Sequence, residues 1–354
     1  MILNQNAKIL FYISLGLVLL SFFEVLGGPV RYLKYLVLPL TFAIWVDSKD
    51  FLKVSLPSFS ISFLLFIIIS VFYLPSIGIS VFKEPLLVFS CLFPFLLIKN
   101  VKIDIEYVFN LTIAAMVLAN SYRIGGFVSI GGVEDNFCFV FGAFVTYFLM
   151  KKDYKRALIA LFFVFITLKR IVFLAVVASS ILIILPALFR SIILRPYILV
   201  LINLFVLLLS CLFVLGAFNE WIFINFDVHP AKLSSARYEI QQIAAEAIYF
   251  DLGSFIFSGL GPGASIALGT ESWGTFVSLH NDLLKLAVEF GLLFFIIFFY
   301  FFYKNLNTEQ KILAVYLNVT FATDNTLIYA GVLFFYFLLM YTLKEVNNEH
   351  IAAS

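Results

Sequence analysis

Twelve apolar runs punctuate this chain, and their number and length constrain its fold more than any other feature. A helix needs roughly 20 apolar residues to cross a bilayer, fewer when it is packed among others. On that rule spans fall near 7 to 26, 30 to 46, 58 to 74, 80 to 98, 104 to 121 and 136 to 150. A second set falls near 156 to 169, 171 to 189, 197 to 218, 281 to 303, 311 to 323 and 326 to 343. With 63% hydrophobic and 12% charged residues, and a mean hydropathy of +1.08, there is too little polar surface to cover a soluble globule. The expectation is an all-α polytopic integral membrane protein. It reads as one membrane domain over residues 1 to 354, with a loop at 219 to 280 inserted between spans 9 and 10. The first run has only Lys8 as a leading cation and no small-residue cleavage pattern after it, so it is expected to be a retained span.

The net charge of +2, without a clustered basic face, gives no case for nucleic acid. Cys91, Cys138 and Cys211 all lie inside apolar runs and read as small core residues rather than a disulfide framework.

Lys and Arg in short loops favour the cytoplasm. An inside N-terminus puts the dense cluster Lys151, Lys152, Lys155 and Arg156 on the cytoplasmic side, and an even span count returns the C-terminus there. Loop 219 to 280 then faces outward. Nine cations remain on the outer side against the insertion bias: Arg31, Lys34, Lys83, Arg123, Lys169, Arg170, Lys232, Arg237 and Lys285. Lys83 has Glu84 beside it, and Lys285 has Asp282 and Glu289 at helical spacing, so structural pairing is the plain reading of those two. Arg31 and Lys34 can snorkel at a helix end.

Three arginines are less easily absorbed. Arg170 belongs to Leu168-Lys169-Arg170, nearly the whole of a tight outer turn that needs no cation. Arg237 follows Ser234-Ser235, either of which can cap a helix running to about Asp251, and so falls in a first turn that itself attracts anions. Its alternative is a solvated pair with Glu239 or Asp251. Arg123 heads a glycine-rich loop, from Gly125-Gly126 through Gly131-Gly132 to Glu134-Asp135, where backbone can approach a phosphate or simply flex.

Of the three histidines, His229 lies in the loop, His350 in the polar tail, and only His280 at a membrane boundary. On a helix beginning there, His280, Leu284, Ala287 and Gly291 share a face, and the glycine leaves room for a helix or a lipid chain. Upstream, Gly259-Leu260-Gly261-Pro262-Gly263 is a tightly turned segment. An imidazole titrates near neutrality and can take a proton from a hydroxyl, while guanidinium groups bind phosphates bidentately. Together they suit glycosyl transfer from a lipid diphosphate at the outer face, with the arginines stabilising the leaving diphosphate. The scheme needs no metal, and the outer loops offer no compact cluster of His and carboxylates for one. The alternative for His280 alone is a helix N-cap or a hydrogen-bonded interfacial histidine.

His280-Asn281 with Gly291 downstream, Gly259 to Gly263 upstream, and Arg170-Ile171-Val172-Phe173-Leu174 resemble the O-antigen polymerase and ligase superfamily over roughly residues 165 to 300. The resemblance implies a GT-C-type, metal-independent membrane glycosyltransferase without cofactor. It would act on undecaprenyl-diphosphate-linked glycans at the periplasmic face of the bacterial inner membrane. It also implies that His280 is the base and that Arg170 and Arg237 contact the diphosphate, with Arg123 a further candidate. A chain-length regulator is an implied partner. Lys169 stands where the family usually has serine. Phe294, the spacing from Arg237 to Gly253, and Asp324-Asn325 favour a polymerase over a ligase, with a buried hydrogen-bonded pair the plainer reading of Asp324-Asn325. A non-enzymatic lipid-glycan flippase is the reading from a different class.

Overall fold

A computed structural model describes residues 2–22, 32–47, 56–73, 83–97, 102–124, 136–167, 169–228, 237–273 and 279–352. These residues form helices and connecting turns, with no strand among them. The first eight are α1 (Ile2–Leu20), α2 (Leu33–Asp47), α3 (Ile61–Phe72), α4 (Lys83–Leu97), α5 (Ile105–Ile124), α6 (Phe137–Met150), α7 (Tyr154–Ile166) and α8 (Arg170–Ile184). There follow α9 (Ala187–Ile193), α10 (Pro196–Val214), α11 (Asn219–Phe226), α12 (Tyr238–Phe250), α13 (Leu252–Phe257) and α14 (Ala264–Trp273). The chain closes with α15 (Asp282–Tyr303), α16 (Thr308–Phe321) and α17 (Ala330–Ala352).

Among the described residues two helices, Pro196–Val214 and Asp282–Tyr303, are long and apolar enough to cross a membrane on their own, and there are several shorter apolar helices. The run expected at 171 to 189 is split because Pro186 drives Leu185 out of the helical region, to ψ 139°, and α9 restarts beyond it. Other boundaries move by a few residues. The start of α16 is fixed by a capping box between Asn307 and Gln310.

The core is built on α17, buried all round from Val332 to Leu343, and on α6, buried from Phe137 to Phe148. Phenylalanines supply most of the contact, for example the edge-on pair Phe63 and Phe337 at 4.8 Å. Helices α6, α8 and α16 pack against one another, α10 and α13 lie on α15, and α4 lies on α17. Outside, large side chains such as Phe72, Ile184 and Leu188 are mostly exposed. An exterior of that composition suits lipid rather than water and points to membrane association.

Ion pairs set the direction of the bundle. Lys151, after α6, reaches Glu309 at the start of α16 at 2.7 Å, and Lys169, before α8, reaches Asp324 beyond its end at 3.0 Å. The 14 residues of α16 separate these two levels by about 21 Å. Arg156 pairs with Glu106 at the basic end, where α5 begins, and Arg123 falls in the last turn of that helix.

Candidate functional site

Four segments remote in sequence meet at the Asp324 end of the bundle. The organising element is the turn between α16 and α17. Ala322-Thr323-Asp324-Asn325-Thr326 interrupts two apolar runs with side chains that compete for backbone hydrogen bonds, so the helix cannot continue. The Asp324 side chain, 2% exposed, accepts at Oδ1 from the Asn325 N–H at 2.8 Å and from the Tyr329 hydroxyl at 2.8 Å. Its Oδ1 also faces His280 Nδ1 at 3.2 Å, and its Oδ2 accepts from Lys169 Nζ at 3.0 Å. A buried carboxylate costs several kcal/mol unless it is paired and hydrogen-bonded, and here it is both. Burial alone would raise the Asp324 pKa, but His280, Lys169, Tyr329 and the Asn325 N–H outweigh it and hold the group well below the usual carboxylate range.

His280 sits in the left-handed region at φ +50°. For a histidine that strain is of order 1–3 kcal/mol, and it persists only where the surroundings impose it. Three contacts do so. Gln241 Nε2 on α12 donates to the Leu279 carbonyl at 3.1 Å. Asn281 caps α15 by accepting from Leu284 N–H at 3.0 Å. Asp282 Oδ2 accepts from Leu327 N–H at 2.8 Å, tying the junction to the Asp324 turn. In a neutral imidazole, a proton on Nδ1 facing the Asp324 carboxylate leaves a lone pair on Nε2. The imidazole side chain is 30% exposed, which leaves access to it.

Arg237 is the N-cap residue of α12 rather than a first-turn residue, and Ser234 and Ser235 lie outside the described residues. Instead of pairing with Glu239 or Asp251, it donates from Nη1 to the Thr323 carbonyl at 2.9 Å, beside Asp324. Most of its five donors stay uncommitted. Arg170 opens α8 and is exposed, with no polar partner among the described residues. Its neighbour Lys169 enters the centre instead, its ammonium 4.8 Å from the Phe139 ring centroid. Arg123 falls in the last turn of α5, and its glycine-rich loop, 125 to 135, lies outside the described residues.

The structure thus brings His280 and Arg237 together on the Thr323–Asp324 turn and places Arg170 next to a member of the cluster. Sequence reasoning missed Lys169 and Tyr329. The available signals were a cation on the unexpected side and an acid-amide pair in an apolar segment.

The helical face expected from His280 to Gly291 does not form. Asn281, not His280, is the N-cap, and Gly291 at φ +84° breaks α15 about 14 Å along its axis. The segment after α13 straps across this break, donating from Leu260 N–H to the Val288 carbonyl at 2.8 Å and from Gly261 N–H to that of Glu289 at 2.9 Å. The freed helical carbonyls are thereby satisfied. Nor does Lys285 ion-pair with Asp282 or Glu289 on its own helix. It reaches Glu84 on α4, because Asp282 is engaged by Leu327 N–H and Glu289 by the Ser265 hydroxyl.

Among the described residues no group of three His, Cys, Asp or Glu side chains is arranged to hold a metal ion. No family model, no curated protein and no solved structure matches this chain.

Proposed function

We propose that this chain is an O-antigen-type polysaccharide polymerase, a twelve-span glycosyltransferase of the GT-C type in the bacterial inner membrane. Both termini face the cytoplasm and the Asp324 end faces the periplasm. The supporting observation is His280 held on a buried, charge-compensated Asp324, with Arg237 and Arg170 at the same end and without carboxylate partners among the described residues.

In this reading His280 Nε2 takes the proton from an acceptor hydroxyl of a lipid-linked repeat unit. The hydroxyl oxygen bonds to the anomeric carbon of the growing glycan. The bond from that carbon to the undecaprenyl diphosphate breaks, and its electron pair leaves with the diphosphate. Arg237 and Arg170, with Arg123, neutralise the developing charge. Asp324 orients the imidazole and stabilises the imidazolium, and Lys169 keeps Asp324 ionised.

The test is deletion in the native host. Lipopolysaccharide capped by a single repeat is expected. Loss of all surface glycan with lipid-linked polymer accumulating would indicate a ligase acting on lipid A-core. A second reading, a lipid-glycan flippase, is favoured by the broken α15, with buried Glu289 beside the break and buried Lys285 on the same helix. It predicts loss of surface glycan with unpolymerised lipid-linked repeats retained inside.

A further inference from the structure

The segment between α10 and α15 is too apolar on its surface to be a water-exposed loop. In α11, Trp221, Phe223, Ile224 and Phe226 are 58–71% exposed and point around most of the helix circumference, only Ile222 being buried. Glu220 and Asn225 are the exposed polar residues of α11, and a helix that exposes four large apolar side chains beside them is covered by protein or by lipid. A second stretch, at the end of α12 and along α13, exposes Tyr249, Phe250, Leu252 and Phe257 by 56–82%. At about 200 Å² per aromatic side chain, each stretch presents roughly 500 Å² of apolar surface, as large as the largest patch of an ordinary soluble monomer. No Lys or Arg occurs between residues 238 and 279 to solvate it.

We infer that the apolar side chains of α11 and of the Tyr249–Leu260 stretch sink into the interfacial region of the outer leaflet, with the exposed Glu220, Asn225 and Asp251 left at the headgroups. Two observations identify lipid as the cover. First, α11 continues the lipid-type face of α10, where Phe205, Leu208, Leu212 and Leu215 are exposed, across a turn held by Ala217 N–H to the Leu212 carbonyl at 3.0 Å. Second, the stretch ending at Leu260 descends along α15 to the Gly291 break, about 14 Å below Asp282. It is therefore a re-entrant dip, its irregular backbone at Gly259, Gly261 and Pro262 buried against protein. The chain places His280 and Arg237 at the membrane surface itself, beside a lipid-facing collar, whatever reaction they catalyse.

Tryptophan fluorescence tests this. Trp45→Phe with Trp273→Phe leaves Trp221 as sole reporter in phosphatidylcholine vesicles. Brominated acyl chains should lower its emission about twofold, as expected for an indole buried about 5–10 Å into the interface, while aqueous iodide leaves it unchanged. Phe257→Trp in a background with Trp221→Phe should behave alike. If these exchanges disturb folding, the difference between the native protein and Trp221→Phe reads the same quantity. Iodide quenching without bromolipid quenching would overturn the inference. So would shielding from both quenchers, which would mean that a second protein surface covers the collar.

Discussion

Gly259→Ala probes the joint between the strap and the broken helix. A Cβ at Gly259 would lie 2.5 Å from the Glu289 carbonyl carbon, the Glu289 oxygen and the Phe290 nitrogen. All three are backbone atoms of α15, so no side chain can swing aside. The residue also sits at φ +67°, where an L-residue is disfavoured by about 1–2 kcal/mol. The overlap adds about 1–3 kcal/mol, and separating the strap sacrifices two hydrogen bonds of about 0.5–1.5 kcal/mol each. Since these effects overlap, Gly259→Ala should destabilise by about 3–6 kcal/mol. Gly263→Ala is the internal control. It has φ +82° but nothing within 4 Å of its Cβ, so only the conformational cost of about 1–2 kcal/mol applies. Unfolding by sodium dodecyl sulfate in mixed micelles, followed by tryptophan fluorescence, compares them. Variants within about 1 kcal/mol of each other would refute the strap as a close backbone contact, because overpacking alone predicts a larger gap.

Asp324→Asn leaves Lys169 as an uncompensated, partly buried cation and should cost up to about 3 kcal/mol, most of it recovered when Lys169→Met is added; strict additivity would contradict the pairing. Because the folded pKa of Asp324 is depressed, its contribution is complete above the ordinary carboxylate range near 4 and is lost only as pH falls through the lower folded value. The stability gap between wild type and Asp324→Asn should therefore hold from about pH 8 to about pH 5 and narrow as pH falls below about 4, and a gap that stays constant below about pH 4 would show an unshifted carboxylate. Arg237→Lys keeps the charge but loses the fork, so turnover should drop about 10- to 100-fold, the equivalent of one charge-assisted hydrogen bond. Full turnover would remove Arg237 from the site.

The helical class was legible because apolar runs of bilayer length admit little else, and His280 stood out as the histidine at a membrane boundary. The details were lost where backbone geometry overrides periodicity. The sequence around His280 has the spacing of a helical face, yet Asn281 is the better cap and Gly291 has no Cβ to oppose a left-handed break. The partner of Lys285 was misread for a similar reason. Neighbours on one helix are visible in sequence, but Glu84 lies 201 residues away, and only the fold reveals that nearer carboxylates are occupied. Lys169, read as a departure from a serine, is the cation that meets the buried acid. Ion pairs that close across 155 residues leave no local trace.

The most direct test is polymer formation by purified protein in proteoliposomes supplied with lipid-linked repeat units. His280→Ala should reduce it at least about 100-fold, the loss expected for a general base, while the variant unfolds like wild type within about 1 kcal/mol. Undiminished polymer from His280→Ala would contradict the role given to the imidazole and, with it, the proposed chemistry at the Asp324 end of the bundle.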